Sequence, residues 1–494
     1  MSKHNLPYND WHSWDPQPWN HPWLTPQNLS EMREYSTLIR ELIKKRVAGL
    51  DIKNHHFGFL GNMANGLYNR AVSLRKFDTN ITLFIHPDDK YIMSHPVWEN
   101  YDGTITDEEA ILDNFLANRP TLRATENTQT LIKHTGSTKQ INQLRHKPKN
   151  YPLRSFLIHR DYRHTIPLLK GLQSMDSLYC AQLPYLGYLS GKPYITSQIG
   201  GDIWLEASRG DSLGALQRLG FSKAKVFLTS NPWSYAHARR FGFNNLIYLP
   251  MTIDQDIYSP GQGKTREQWI RNYGGNFFIL STSRLDENDK GSAMALKGIV
   301  PFLRKNSGAR LVMTSWGKHL DERKKDLEKY NIEKQVIWMP LSGKETIRDY
   351  LRSADCFFDQ FVLGYFGAAG LEAMACGVPV IGRIEREQYN ALCETGEPPI
   401  LNANRSEDIY GHLTWLQNNP SERKETANKH RTWFLENHGS ERWVEDYQNM
   451  LLYASLDDHL NYSQSPLNQP LSTIEQEYHT RGLAHAPIFP NYFK

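Results

Sequence analysis

The sequence predicts an α/β protein of two doubly wound domains, each a parallel sheet with helices on both faces. Three observations carry that prediction. The chain has 494 residues, more than one hydrophobic core usually serves. Strand-like and helix-like patterns alternate in two separate runs, which implies parallel strands joined by crossover helices. Between the runs, Pro250, Pro260, Gly261 and Gly263 break regular structure and mark a linker over 251–263.

The first run opens with a helix from about 29 to 48, with Ser30 as its cap. Strand His56–Leu60, helix Asn65–Lys76 and strand Asn80–Ile85 follow. Residues 87–150 are polar and read as a long excursion. Alternation resumes with strand Asp176–Cys180, a helix near 182–190, strand Pro193–Ser197 and a helix near 211–219. Strand Lys225–Thr229, helix Pro232–Phe241 and strand Leu246–Leu249 close the run. The second run is strand Phe277–Ser283, helix Ser292–Arg304, strand Arg310–Thr314, a helix at 320–330 and strand Gln335–Met339. Ser342-Gly343-Lys344-Glu345 has the form of a capping box for a helix ending near 352, before strand Cys356–Phe358. A last amphipathic helix spans Ser440–Tyr453, and 456–494 is a polar tail. The expected divisions are an arm at 1–28, a first domain at 29–255, a second at 256–440, and a helix with tail at 441–494.

Composition bounds the function. Hydrophobic residues make up 39% and charged residues 22%, as in a soluble globular protein. The net charge of +4 permits an anionic substrate or a membrane surface and demands neither. Without a basic block or nucleic-acid motif, a nucleic-acid partner is not expected. Cys180, Cys356, Cys376 and Cys393 lie far apart, form no metal-type pair, and suit a reducing, cytoplasmic setting. The nineteen histidines show no His-Glu-x-x-His spacing, and no metal site is assigned. The N-terminus lacks the apolar core of a signal peptide, and no apolar run approaches a membrane span, although peripheral attachment to the inner face of a membrane stays open. Trp11, Trp14, Trp19 and Trp23 sit in the arm. They either cover a domain surface or meet a sugar or a membrane interface.

The richest stretch runs from Gly364 to Ile381 and reads as a glycine-rich loop, a short helix and a buried strand. A helix N-terminus lined by small residues suits phosphate, because its N–H groups and dipole both favour an anion. Glu372, near the helix start, can accept hydrogen bonds from a ribose diol, or it is simply an acid stabilised by the dipole. Phosphate and ribose together suggest a nucleotide. The second informative segment, Ser281 to Gly291, follows the first strand of the second domain. Arg284 offers a planar fork and Lys290 a point charge, a suitable pair for a diphosphate, or both are solvated loop cations.

Together these motifs resemble the retaining nucleotide-sugar glycosyltransferases of the GT-B fold (glycosyl transferases group 1), the group that includes sucrose synthase and many bacterial polysaccharide and lipid glycosyltransferases. Those proteins carry Arg-Leu, a short spacer and Lys-Gly after the first strand of the C-terminal domain. They also carry Glu-Gly-Phe-Gly, four residues, Glu-Ala-Met-Ala, one residue, Gly and Pro-Val. This chain has Arg284, Lys290, Tyr365-Phe366-Gly367, Glu372-Ala373-Met374-Ala375, Gly377 and Pro379-Val380. The resemblance covers about 200 to 450 well and reaches more weakly to about 55.

The resemblance implies two Rossmann-like domains facing a cleft, with the C-terminal helix packing back on the N-terminal domain. Sugar would pass from a nucleoside-diphosphate sugar to a hydroxyl of a glycan, a lipid-linked or a small-molecule acceptor, with retention and with no further cofactor. Arg284 and Lys290 would bind the diphosphate and Glu372 the ribose. The backbone around Met339, within Trp338–Leu341, would meet the base. The N–H groups of Gly367, Ala368, Ala369, Gly370 and Leu371 would touch the sugar or distal phosphate. Gly61 and Asn62 would line the donor phosphate from the first domain. Asp202, in Gly200-Gly201-Asp202, would bind or deprotonate the acceptor, or is a turn aspartate.

There are two departures from the family pattern. The family's first Glu falls at Gly364, where Asp359-Gln360 lies just upstream as a polar substitute or as a strand end facing solvent. The family's acceptor-side His falls at Ile199. A non-catalytic glycan- or nucleotide-sugar-binding protein, or a nucleotide-sugar epimerase, is the rival on the same fold.

Overall fold

The computed structural model describes residues 21–85, 92–107, 111, 133–134, 171–198, 200–208 and 212–476. Trp11, Trp14, Trp19 and Ile199 lie outside the described residues. Short runs of Val, Ile, Leu and Phe form strands with little alternation of polarity, because helices cover both sheet faces. The strand Ser177–Ala181 is buried at every position.

The chain divides into two compact units. The first draws its described residues from Met1–His95, Leu116–Pro250 and Trp443–Lys494. Its strands are β1 (His56–Leu60), β2 (Asn80–Ile85), β3 (Lys133–His134), β4 (Ser177–Ala181), β5 (Tyr194–Ser197), β6 (Val226–Thr229) and β7 (Leu246–Tyr248). They form one sheet in the order β3-β2-β1-β4-β5-β6-β7, every pair parallel. The last helix, Ser440–Ser455, returns to this unit, where Ser177 Oγ donates to the Leu451 carbonyl at 2.8 Å.

The second unit draws its described residues from Pro96–Phe115 and Met251–Arg442. Its strands are β8 (Phe277–Ser281), β9 (Ala309–Thr314), β10 (Val336–Met339), β11 (Cys356–Phe358), β12 (Val380–Gly382) and β13 (Leu401–Asn402). The order is β10-β9-β8-β11-β12-β13, again all parallel. Chain order reverses between β8 and β11, and a sheet of this kind binds its ligand beyond the carboxyl ends of the strands at such a switch point. The core below is apolar and continuous, from Phe277 and Ile279 through Ile299 and Phe302 to Ile409 and Leu413. Gly298 lets two helices meet closely, since a Cβ there would lie 2.6 Å from Ile409 Cβ.

Three sequence expectations change. The first helix is Pro26–Arg46, and its cap is Thr25, whose Oγ1 accepts the Asn28 N–H at 3.2 Å. Pro26 fits the first helical position because its φ is already set and it lacks an N–H. The capping box at 342–345 does not form. Gly343 is the cap residue with no side-chain bond, and Ser342 Oγ donates to the Pro340 carbonyl instead. Residues 103–104 bind Ser342 and Gly343 through their backbones, and this tertiary pairing replaces the local one. Finally, the described residues 96–107 and 111 group with the second unit, although the sequence places them inside the first domain. All four cysteines are buried thiols.

Candidate functional site

At the end of β8 the chain turns through Arg284-Leu285-Asp286 into a single-turn helix, Glu287–Lys290. Leu285 anchors this loop. Its N–H donates to the Trp316 carbonyl at 2.9 Å, and its carbonyl accepts the His319 N–H at 3.1 Å. The loops after β8 and β9 are thereby zipped together. Gly317 permits the contact: its φ is +117°, and a Cβ there would stand 2.4 Å from the Leu285 nitrogen.

The zipper sets two cations around one acid. Arg284 Nε and Lys318 Nζ lie 3.7 and 3.5 Å from Asp286 Oδ2. The Asp286 side chain is 10% exposed, whereas those of Arg284 and Lys318 are 43% and 52% exposed. Pairs this long and wet contribute little energy, so the buried acid orients two cationic groups that reach solvent. The sequence reading missed Lys318. Its signal was Ser315-Trp316-Gly317-Lys318 directly after β9, a loop at the carboxyl end of the sheet.

Lys290 is held differently. Its Nζ donates to Gln360 Oε1 at 2.5 Å, and its carbonyl accepts the Phe361 N–H at 3.0 Å. Gln360 is 1% exposed and passes its own Nε2–H to the Tyr365 carbonyl. A cavity of about 30 Å³ lies among Ser281, Ser283, Arg284, Lys290, Asp359 and Phe361, room for about one water.

Asp359 follows β11 and sits under the glycine-rich loop. Its Oδ2 accepts the Gly367 N–H at 2.9 Å, and Oδ1 is buried with no hydrogen-bond partner among the described residues. Gly367 and Gly370 make room for it: a Cβ at Gly370 would come within 2.5 Å of Asp359 Oδ2, and one at Gly367 within 2.8 Å of Oδ1. Burial pushes the Asp359 carboxyl up, while Lys290 and the Gly367 N–H pull it back. A protein carboxylate thus lies against the N-terminal turn of the Ala368–Ala375 helix. Ala368 is exposed there, Ala369 half-buried and Leu371 fully buried.

Gly364 has φ +69°, and its carbonyl accepts the Glu385 N–H at 2.9 Å. A Glu would be strained in this left-handed conformation, which accounts for the missing acid in terms of backbone shape.

Glu372 is 4% exposed, and its Oε1 accepts from Lys344 Nζ at 2.5 Å. The Met339 carbonyl is engaged by the Ser315 N–H at 2.7 Å and Ser315 Oγ at 3.0 Å. The Leu341 carbonyl accepts the Ile105 N–H at 2.7 Å. Lys344 escaped the sequence reading because the segment looked like a capping box.

Three further expected residues lie in the first unit. Gly61 (φ +86°) lets the loop after β1 cross the Ala181 carbonyl, only 2.0 Å from where a Cβ would be. Asn62 is buried and used as scaffold: Nδ2 donates to Asn65 Oδ1 at 2.7 Å and to the Ser94 carbonyl at 2.9 Å, while Oδ1 accepts the Tyr68 N–H at 2.8 Å. Asp202 is buried, and its Oδ1 accepts the Gly200 N–H at 2.8 Å, the geometry of a turn aspartate. Among the described residues, no group of three or more His, Cys, Asp or Glu could hold a metal ion, and no helix is long and apolar enough to cross a membrane.

Residues 264–433 match the model of the family "Glycosyl transferases group 1". That segment is a group 1 glycosyltransferase domain. The match spans β8 to β13 and every site residue of the second unit from Arg284 to Glu372. Mannosylfructose-phosphate synthase of Agrobacterium fabrum is 25% identical over 153 residues, 29% of this chain and 34% of that protein. The match therefore spans about a third of that relative's length.

Solved structures agree on architecture. Anabaena HepE in complex with UDP and glucose superposes with a TM-score of 0.54 at 12% identity, over 80% of this chain and 98% of its own. Sucrose-phosphate synthase of Thermosynechococcus elongatus gives 0.53 at 13%, over 79% and 96%. TarM gives 0.54 at 10%, over 80% and 98%. At such identities the likeness establishes the fold, and the chain has the GT-B architecture.

Proposed function

We propose that this chain is a retaining glycosyltransferase that moves a sugar from a nucleoside-diphosphate sugar to a hydroxyl acceptor. The observation that carries the proposal is the placement of Arg284, Lys290 and Lys318 in the loops after β8 and β9, beside the switch point of the group 1 domain. When the bond from the anomeric carbon to the diphosphate oxygen breaks, negative charge grows on the leaving diphosphate. Preorganised cations at that point lower the barrier without reorganising. In this proposal they take the role that a divalent metal often has. The acceptor hydroxyl attacks the anomeric carbon, and its proton goes to the departing phosphate oxygen on the same face, so configuration is kept. Glu372 receives the ribose hydroxyls. Synthesis of a polysaccharide, glycolipid or glycoconjugate fits this chemistry, and HepE, described in complex with UDP and glucose, supports a nucleotide-sugar donor.

The full chain is to be incubated with UDP-, GDP- and ADP-sugars and a panel of hydroxyl acceptors, with and without EDTA. Transfer to an acceptor, or slow donor hydrolysis, that survives EDTA is expected. Binding of a nucleotide sugar with no turnover would instead favour the non-catalytic binding protein suggested by Gly364. Analysis of the product's anomeric configuration checks retention.

A further inference from the structure

Glu372 is not an open acid at the helix start. A second acid-positioning layer surrounds it, and part of that layer comes from outside the group 1 segment. Residues 98–105 lie against the loop that follows β10. Trp98 Nε1 donates to the Ser342 carbonyl at 2.9 Å, the Ile105 N–H to Leu341 at 2.7 Å, and the Gly343 N–H to the Gly103 carbonyl at 3.0 Å. Thr104 and Ser342 form an antiparallel bridge. These bonds fix the chain where the Lys344–Ser353 helix begins, and Lys344 enters buried rather than pointing to solvent.

Three groups then meet the Lys344 ammonium. Glu372 Oε1 is at 2.5 Å, the Trp98 ring centroid at 4.7 Å and the Tyr258 ring centroid at 5.9 Å. A buried carboxylate with no partner is strongly disfavoured, and a hydrogen-bonded cation offsets that cost. The two aromatic rings also attract the ammonium. A carboxylate has roughly four acceptor positions, so one ammonium on Oε1 leaves capacity for hydroxyl donors. Lysine here fixes the direction of the acid without using it up.

We propose that Lys344 and Trp98 are positioning residues for the ribose acid: Lys344 holds Glu372 as a correctly aimed carboxylate, and Trp98 holds Lys344. The inference rests on the reading of Glu372 as the ribose acceptor. It makes residues 98–105 a part of the donor subsite that a family match confined to 264–433 does not contain.

The test compares binding of UDP, GDP and ADP with binding of their 2′-deoxy counterparts to the full-length protein by calorimetry. Wild type is expected to bind one ribonucleotide about tenfold or more tighter than its deoxy form, the size of a lost hydrogen bond to a charged group. K344M and W98A should bring that ratio below about threefold while leaving the deoxynucleotide's affinity within about twofold, and K344R should restore the ratio. A merely structural role would weaken both nucleotides alike. If wild type discriminates and folded K344M or W98A discriminates equally, the inference fails and the ribose role of Glu372 stands. If wild type binds a ribonucleotide and its deoxy form equally, the ribose role itself fails. If K344M does not fold, W98A carries the same test from a residue that makes no ion pair.

Discussion

The Lys290 ammonium donates to the Gln360 side-chain oxygen at 2.5 Å, which ties the loop after β8 to the loop after β11 across the switch point of the sheet. The Phe361 N–H returns a bond to the Lys290 carbonyl at 3.0 Å, and Gln360 Nε2 continues the chain to Tyr365. An amide oxygen carries no net charge, so this contact orients the ammonium without cancelling it. A carboxylate in the place of Gln360 would oppose the diphosphate that the site is proposed to hold.

Removal of that charge should be felt in the chemistry rather than in the fold. K290A is expected to lower turnover by about 10²–10³-fold, the usual cost of deleting one preorganised charge-stabilising group. Steady-state transfer assays, with thermal unfolding as the control, check this. Transfer near the wild-type rate would remove Lys290 from the mechanism.

Gly364 gives a prediction about the fold. At φ +69° a side chain is strained, and restoring the family's acid as G364E should cost about 1–2 kcal/mol. In a protein of this size that is a fall in Tm of roughly 2–4 °C. G364N should cost less, because Asn tolerates the left-handed region. Equal melting temperatures for all three proteins would show that the loop has another conformation in solution.

The switch-point site was legible in the sequence because it follows from local pattern. Arg284 and Lys290 sit just past a buried strand, and Glu372 lies within a small-residue helix, features that periodicity and spacing reveal. Asp359 was singled out, but its packing against Gly367 and Gly370 was not, because two glycines eight and eleven positions onward do not announce what fills the space above them. Lys318, Trp98 and Lys344 were not recognised for a related reason. Each acts through a partner distant in sequence: Asp286, Ser342 and Glu372 respectively. The capping-box reading of 342–345 failed because the backbone of 103–104 already occupies the residues that would have capped. Strand order likewise needed the sheets themselves, since alternation gives parallel strands without saying which are neighbours.

The contact between Gly370 and Asp359 can be tested as a pair. A methyl at Gly370 would lie 2.5 Å from Asp359 Oδ2, so G370A should destabilise by about 1–3 kcal/mol through overpacking. In a D359A background the same change should cost much less, because the carboxylate is gone. A double-mutant cycle on urea unfolding should therefore give a coupling of about 1 kcal/mol or more. Additive costs would mean that Asp359 moves aside freely and does not press on the helix start.

Two buried histidines should make stability fall in mild acid. His430 Nδ1 accepts the Val380 N–H at 3.1 Å and Nε2 donates to the Pro399 carbonyl at 2.8 Å, so the ring is neutral with its proton on Nε2. His438 Nδ1 donates to the Met251 carbonyl at 2.7 Å. Burial lowers both from 6.5 to about 4. With the folded value below the unfolded one, the unfolded chain binds more protons between those limits. Stability is then complete above about pH 6.5 and is lost progressively as pH falls toward 4. Each ring should remove on the order of 2 kcal/mol between pH 7 and pH 5. Urea unfolding of the wild type at both pH values, set against H430N, checks the sign. Asn at 430 can keep an acceptor for Val380 but has nothing to titrate, so its pH dependence should be shallower by one histidine's share. An H430N slope equal to that of the wild type would show that His430 takes up its proton equally in the folded and unfolded chain, so that its bond with Val380 is not the one described.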